Sequence, residues 1–387
     1  MAIRHGRACR TAAQPLAARH PDAVQQPTSG PRICRTGRKS RSTAMNPRSR
    51  TSPQRLNIAL GDGTVLAGDH HRSVHDTARG TVLIRTPYDR RQYRAQAGAW
   101  QAQGHDVLVQ DVRGRYGSTG TWRPYATEGQ DGAETARFLE REGLLNGPLF
   151  LAGASYDAHC ALETARRLEI DGNQLRAAAV VALVPALGLF ETARNPDGSP
   201  RLRDRIGWWH MHGFAAESRA PLASPDLERR CHEARERGLA HAMPEKIYGA
   251  DAPGQWDRLW KAPKLDLGTR YGNCQTALLV VSGHRDFFAH EALELAEAWA
   301  TGNSGFLTGP WGHRLTADLE PGSASSLRRH GGLMARIQEF LDRSEVLPFT
   351  REFNPFRDDI DPWEPSDRTR LRATTNSPVP AECELSP

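Results

Sequence analysis

The sequence predicts an α/β fold with a mostly parallel central sheet, helices on both of its faces and an inserted helical segment. Short apolar runs alternate with helix-like segments between residues 81 and 184, which is typical of a parallel sheet covered on both sides. The alternation stops over 186–275 and resumes at residue 277. No apolar run approaches the ~20 residues that a membrane-spanning helix needs.

The individual elements follow from local patterns in chain order. LNIALGDGTVLAGD (56–69) predicts a hairpin that turns at Asp62-Gly63. Apolar, β-branched runs predict strands, and the amphipathic segments between them predict helices. The predicted strands are 81–86, 106–111, 148–153, 177–184, 277–283 and 305–309. The predicted helices are 91–103, 127–143, 158–168, 289–300 and 325–343.

These elements divide the chain into four parts. Residues 1–54 are rich in Arg, Pro and Ser without apolar periodicity, so we expect a disordered basic extension, with Met45 as an alternative start. The sheet and its helices form a core over 55–185 and 276–345. A helical cap is inserted over 186–275, and an irregular tail is expected over 346–387.

Charge and cysteine content restrict the class of protein. Residues 1–55 hold 12 Lys and Arg against one acid, while the rest holds 39 bases and 44 acids, so the basicity belongs to the extension. An organelle transit peptide and a nucleic-acid-binding arm are the functional alternatives for this extension. We favour a functionless extension and expect no nucleic-acid or membrane partner. Six scattered cysteines without a CxxC pair or secretory signal predict reduced thiols and a cytoplasmic protein. The histidines lack carboxylate or thiol companions at ligand spacing, so we expect neither a metal nor a cofactor; a homodimer is left open.

The segment PLFLAGASYDAHCALETARR (148–167) places Ser155 between a strand and a helix. This is the setting of a nucleophile elbow, whose sharp turn exposes the serine hydroxyl. Gly153 permits the turn because it has no side chain, and the helix start directs free amides towards an oxyanion. Alone the pattern is weak, because Asp157 replaces the second glycine of GxSxG and serine also commonly caps helices.

Two later residues supply the partners that a nucleophilic serine needs. Asp286 lies three residues past the predicted strand at 277–283, and His313 lies four residues past the one at 305–309. The order Ser, Asp, His is that of triads on open parallel sheets, with the histidine as base and the acid orienting it. The alternatives are a helix N-cap for Asp286 and a surface loop position for His313. If Asp286 is not the acid, the next candidates are Asp251, Asp266 and Glu291.

Six segments together resemble one family, the X-Pro dipeptidyl-peptidase and cocaine-esterase-like α/β-hydrolases. The resemblance runs from about Arg55 to Arg343, and RTPYD with QDVRGRYGS is its most specific part. The segments are VLIRTPYDRR (82–91), GHDVLVQDVRGRYGSTGTW (104–122), GASY (153–156), QWDRLW (255–260), VVSGHRDFF (280–288) and GPWGH (309–313).

The resemblance implies an α/β-hydrolase fold and a serine hydrolase activity, with the triad assigned above. It also implies two oxyanion donors, the hydroxyl of Tyr88 and the backbone amide of Tyr156. The family's glycine three places after the serine is Ala158 here. The family usually continues into a C-terminal β-sandwich domain, whereas about 44 residues follow Arg343 in this sequence, which leaves the substrate class open.

The predicted function is cleavage of an ester or amide bond in a small molecule through an acyl-serine intermediate. Three alternatives stay open: an acyltransferase or cyclase using the same triad, an X-Pro dipeptidyl-peptidase, and a catalytically silent binding module. Aromatic residues of the cap and beside the histidine predict a substrate pocket, with plain core packing as the alternative. The pocket candidates are Trp208, Trp209, His210, Phe214 and Trp311.

Overall fold

The computed structural model describes residues 52–375, apart from 173, 301, 344 and 358–360. The predicted disordered extension over 1–54 therefore falls almost wholly outside the described residues, as does the end of the predicted tail. Ten strands form one sheet. They are β1 (Gln54–Ala59), β2 (Val65–His71), β3 (Thr81–Thr86), β4 (Asp106–Asp111), β5 (Leu149–Ala154), β6 (Ala179–Leu183), β7 (Ala277–Val281), β8 (Ser304–Thr308), β9 (Phe349–Phe353) and β10 (Trp363–Pro365).

The strands lie in the order β1-β2-β4-β3-β5-β6-β7-β8-β9-β10. Every pair from β4 to β9 is parallel, whereas the predicted hairpin β1–β2 and the terminal strand β10 pair antiparallel. Parallel neighbours need crossover connections, which are supplied here by helices. The predicted fold class, a mostly parallel sheet with helices around it, is confirmed.

Thirteen α-helices accompany the sheet in the described part of the chain. They are α1 (Arg94–Ala102), α2 (Glu128–Arg141), α3 (Tyr156–Ile170), α4 (Leu189–Ala193), α5 (Leu202–Trp208), α6 (Ser224–Arg237), α7 (Glu245–Tyr248), α8 (Ala252–Lys261), α9 (Leu267–Tyr271), α10 (Ala289–Ala298), α11 (Pro321–Arg329), α12 (Gly332–Leu341) and α13 (Arg368–Thr375). The predicted helix over 325–343 is in fact two, since Gly331 and Gly332 both take positive φ between α11 and α12.

The central strands carry apolar side chains on both faces, which explains why helices cover both faces of the sheet. In β3, Leu83 belongs to the core cluster that contains residues of α2, α3 and α10, while Val82 and Ile84 belong to the cluster that contains residues of α1, α11 and α12. Successive strand residues point to opposite faces, so a strand buried on both sides is apolar throughout.

The insertion between β6 and β7 forms the cap. Helices α4 to α8 and a π-helical turn over Trp209–Gly213 enclose an apolar cluster of their own, centred on Trp209 and Trp256. Helix α9 differs, because Leu267 and Tyr271 pack into the main core beneath the sheet. Within the described residues, no helix combines the length and apolar character that crossing a membrane requires.

The expectation of an irregular tail over 346–387 was wrong for much of that segment. Strand β9 pairs parallel with β8, β10 pairs antiparallel with β9, and α13 follows. Phe353 and Trp363 are buried against each other, with ring centroids 5.5 Å apart. Burial of these aromatic rings stabilises the edge of the sheet, and the short, charged run FTREF did not reveal it.

Candidate active site

Ser155 lies in a strained turn directly after β5. Its backbone adopts φ 56° and ψ −118°, a conformation that non-glycine residues rarely take. A side chain at Gly153 would place its Cβ 2.3 Å from the carbonyl carbon of Asp157, so only glycine permits this turn. The Ser155 amide donates to Leu183 O at 2.9 Å, which anchors the turn to β6. The turn has the geometry of a nucleophile elbow.

His313 and Asp286 form a hydrogen-bonded chain with this serine. His313 Nε2 lies 3.0 Å from Ser155 Oγ, and its Nδ1 lies 2.8 Å from Asp286 Oδ1. A carboxylate at Nδ1 requires that nitrogen to carry the proton, which leaves Nε2 as the acceptor for the serine hydroxyl. Ser155 and His313, which are 158 residues apart in the sequence, are thus in direct contact.

The surroundings of Asp286 hold its carboxylate in place. Its side chain is fully buried, and it accepts hydrogen bonds from Ser282 Oγ at 3.0 Å and from the Phe288 amide at 3.2 Å. The ring of Phe287 stacks on the imidazole of His313, with centroids 4.2 Å apart. These contacts fix the orientation of His313, whose side chain is 17 % exposed.

The shared position of these residues follows from the parallel sheet. Ser155, Asp286 and His313 come after the carboxyl ends of β5, β7 and β8, and Tyr88 comes two residues after β3. The carboxyl ends of parallel strands meet at one edge of the sheet, which is where ligands bind in open α/β proteins. The residues that the sequence analysis singled out are therefore brought together by topology.

Tyr88 contributes a hydroxyl that is held from the cap. Trp208 Nε1 donates to Tyr88 Oη at 3.1 Å. Because that oxygen accepts a hydrogen bond from the indole, its own proton remains free to be donated. Burial, reinforced by the Asp157 carboxylate, raises the pKa of the Tyr88 phenol, while polar contacts with Trp208 and Ser155 oppose the rise. The phenol therefore stays protonated beside Ser155 over the physiological pH range.

Tyr156 provides the first amide of α3, immediately after Ser155. The first amides of a helix have no acceptor within the helix, so this N–H is suited to an oxyanion. The side chain is held separately: its hydroxyl donates to the carboxylate of Glu128 and accepts from the amide of Tyr125 at 2.7 Å. Trp208 stacks on the Tyr156 ring at a centroid distance of 5.9 Å, so one indole contacts both tyrosines.

The five predicted pocket residues are not all near the serine. Trp208 lies against Tyr88 and Tyr156. Trp209 and Phe214 belong to the core of the cap, and His210 contacts the Tyr248 hydroxyl at 2.7 Å.

Trp311 is fully buried on the other side of the site. Its indole donates to Ser282 O at 2.7 Å, and its ring stacks with Phe353. These placements correspond to the core-packing alternative for Trp209, Phe214 and Trp311, whereas His210 is half-buried. Trp208 stays in the proposed pocket.

The sequence analysis missed a second polar chain behind the site. Tyr93 Oη donates to Asp157 Oδ2 at 2.5 Å and accepts from Thr86 Oγ1 at 2.8 Å; Thr86 Oγ1 accepts from the Tyr88 amide at 3.1 Å. Burial raises the pKa of Asp157 to about 7. The signal that could have revealed this chain is Asp157 itself, which occupies the position where GxSxG has glycine.

Within the residues that the structure describes, no group of three or more His, Cys, Asp and Glu side chains could hold a metal ion. The described cysteines, Cys160, Cys231 and Cys274, are buried and free. The chemistry available at this site is that of a serine activated by a histidine.

Comparisons with known proteins identify the family to which the chain belongs. A family model described as X-Pro dipeptidyl-peptidase (S15 family) matches residues 62–314. Cocaine esterase from Rhodococcus sp. (strain MB1 Bresler) is 23% identical over 286 residues, which are 66% of this chain and 48% of that protein. The chain thus spans about half the length of this curated relative.

Two solved structures share the fold over most of the chain. An aminopeptidase from a marine sediment Thaumarchaeota archaeon superimposes with a TM-score of 0.61 at 17% identity, covering 84% of this chain and 62% of that one. An α-amino acid ester hydrolase superimposes with a TM-score of 0.54 at 15% identity, covering 85% and 61%. With its family model matched over more than half of its length, the chain belongs to the X-Pro dipeptidyl-peptidase (S15) family of α/β-hydrolases.

Proposed function

We propose that the protein is a serine hydrolase that cleaves an ester or amide bond of a small molecule through an acyl-serine intermediate at Ser155. The observation that carries the proposal is the unbroken hydrogen-bonded chain from Ser155 Oγ through His313 to Asp286, built on a strained turn. Membership in the S15 family and the cocaine esterase relative support the same class of reaction.

In the first half of the reaction, His313 Nε2 accepts the Ser155 proton while Oγ attacks the substrate carbonyl. The imidazolium that forms is stabilised by the buried carboxylate of Asp286. Negative charge develops on the carbonyl oxygen, and the hydroxyl of Tyr88 and the amide of Tyr156 donate to it. His313 then passes its proton to the leaving group, which departs and leaves the acyl group on Ser155.

In the second half, water takes the position of the leaving group. His313 accepts a proton from the water, the hydroxide equivalent attacks the acyl carbonyl, and the same two donors hold the second oxyanion. Collapse returns the proton to Ser155 Oγ and releases the carboxylic acid. No group other than these side chains and water is needed to balance the reaction.

The proposal is tested by turnover of p-nitrophenyl esters by three variants. Ser155→Ala and His313→Ala should each lower turnover by roughly 10⁶-fold, as when a triad member is removed elsewhere. Asp286→Asn should cost about 10⁴-fold, because it gives the imidazole the wrong tautomer. Circular dichroism and melting temperature should show that each variant is folded. Ester turnover that survives Ser155→Ala in a folded protein would refute the proposal.

A further inference from the structure

Arg205 is a buried cation without a partner in the cap. It lies on α5, its relative exposure is 6 %, and its Nε is buried without a hydrogen-bond acceptor. Its guanidinium forms neither a hydrogen bond nor an ion pair with any side chain or carbonyl in the described part of the chain. Buried arginines are normally paired, because removing a charge from water is costly.

Two other arginines of the same helix region show what paired arginines look like here. Arg201, one turn earlier, donates from Nη2 to Phe287 O and lies 3.7 Å from Glu291 Oε1, although its Nε and Nη1 are buried without an acceptor. Arg203 points away from the core and pairs with Glu228 near the surface. Arg205 differs from both, because its side chain has neither a carbonyl nor a carboxylate partner among the described residues.

The position of Arg205 places it beside the candidate oxyanion site. It precedes Trp208 by three residues, so both side chains lie on one face of α5, and Trp208 bonds to Tyr88 Oη. The charge of Arg205 also acts on two buried phenols: burial raises the pKa of Tyr88 and Tyr125, and Arg205 opposes the rise in both. The guanidinium is therefore close to the place where substrate would meet Ser155.

The acids around the site do not neutralise this cation. Asp286 is engaged by His313 and Ser282, and Glu128 accepts from Tyr156. Burial raises the pKa of Glu291 to about 7, even though Arg201 opposes the rise, and it raises that of Asp157 to about 7 as well. Both carboxyls are thus partly protonated near neutral pH, and positive charge remains on the cap side of the site.

We propose that Arg205 binds a carboxylate of the substrate, so that the enzyme acts on esters or amides whose acyl or leaving group carries a free carboxylate. The planar guanidinium suits such a group because it can donate two parallel hydrogen bonds to one carboxylate. The inference rests on the proposed hydrolase function for its kinetic meaning, but binding of a carboxylate by Arg205 stands independently of turnover.

The kinetic test compares two activated esters of matched shape. Mono-p-nitrophenyl adipate carries a free carboxylate at the end of its acyl chain. In its neutral analogue, a carboxamide replaces that carboxylate. We expect the parent protein to prefer the anionic ester in kcat/KM by at least tenfold. Arg205→Gln should lower kcat/KM for the anionic ester by about 10–100-fold, the size of a charge-assisted contact, and leave the neutral ester within about threefold. Arg205→Lys should retain part of the preference, and Arg203→Gln, the matched control on the same helix, should retain all of it.

A binding measurement separates this inference from the hydrolase proposal. Titration calorimetry of adipate into the Ser155→Ala protein should show binding that Arg205→Gln abolishes and that adipamide does not reproduce. Adipate binding of this kind without ester turnover by the parent would support Arg205 as the carboxylate site and refute the hydrolase proposal. Turnover of both esters without preference, or equal losses on both esters in folded Arg205→Gln, would overturn the inference and leave the hydrolase proposal intact.

Discussion

At the scale of single residues, the hydroxyl of Tyr88 links the cap to the nucleophile. It accepts from Trp208 at 3.1 Å, and this contact leaves its proton available for an oxyanion. A bond that strengthens as negative charge develops lowers the barrier more than it aids substrate binding. Under the proposed mechanism, Tyr88 is therefore a catalytic residue in addition to the triad.

Tyr88→Phe removes this donor and keeps the ring. We expect kcat to fall about 10²–10³-fold with KM little changed, as for loss of one oxyanion donor. The indole N–H of Trp208 loses its acceptor, so a modest loss of stability should accompany the change. Tyr271→Phe is the matched control, since it removes a buried hydroxyl that bonds Glu163 in the main core. Parent-like turnover of Tyr88→Phe on an activated ester would remove Tyr88 from the mechanism.

Asp157 gives a second prediction at this scale, concerning stability against pH. Burial raises its pKa from 3.8 to about 7, so the folded protein binds a proton that the unfolded chain releases. As pH rises from about 4 to about 7, this group therefore makes folding progressively less favourable. In Asp157→Asn that pH-dependent loss is absent, and the amide oxygen can still accept from Tyr93.

Melting temperatures at several pH values between 5 and 8 measure this effect. Asp157→Asn should melt above the parent at pH 8, and the difference should shrink towards pH 5. Asp257→Asn removes an exposed carboxylate paired with Lys261. Its melting temperature should stay close to that of the parent at every pH in the range. A difference that grows as pH falls would show that Asp157 is ionised in the folded protein at acid pH.

At the scale of elements, the sequence predicted those whose signal is local. Apolar runs identified β3 to β8, and the glycine-rich turn identified the β1–β2 hairpin, since each is encoded by neighbouring residues. Strands β9 and β10 were not predicted from the sequence, because their stability depends on contacts between separate segments. Phe353 packs with Trp363, and β9 pairs with β8. The break between α11 and α12 was also missed, although Gly331-Gly332 is a local signal for it.

Arg368 is the residue that joins this C-terminal part to the core. Its guanidinium donates to Ala296 O, Ser304 O and Thr350 Oγ1 at 2.9–3.0 Å, and so connects α10, β8 and β9. Arg368→Gln should lower the free energy of unfolding by about 2–3 kcal/mol, since several half-buried hydrogen bonds to a charged donor are lost. Chemical denaturation measures this value.

Arg370→Gln is the control for that experiment, because Arg370 is exposed on the same helix. It should change the free energy of unfolding by less than about 0.5 kcal/mol. Equal losses in both variants would mean that α13 contributes through helix charge and not through the Arg368 contacts.

At the scale of the whole molecule, topology determines the site. Residues 155 and 313 are 158 positions apart in the sequence, with residue 286 between them. The parallel sheet places all three at one edge because each follows the carboxyl end of a strand. Motif and chain order were therefore sufficient to predict that these three side chains lie in contact. The pocket was predicted less well. Whether Trp208, Trp209 or Trp311 faces the site depends on how the cap and the sheet pack, which the local sequence does not show. The isolation of Arg205 likewise depends on which charges surround it, which no local pattern shows.

The most direct test of the account is to identify the residue that a fluorophosphonate probe modifies on the full chain. Reaction of the folded protein, proteolysis and mass spectrometry should locate a single adduct on Ser155, because it lies in a strained turn and its Oγ is hydrogen-bonded to His313. The adduct should be absent in Ser155→Ala and strongly reduced in His313→Ala. A folded protein that acquires no adduct, or acquires it on another serine, would contradict the assignment of Ser155 as the nucleophile.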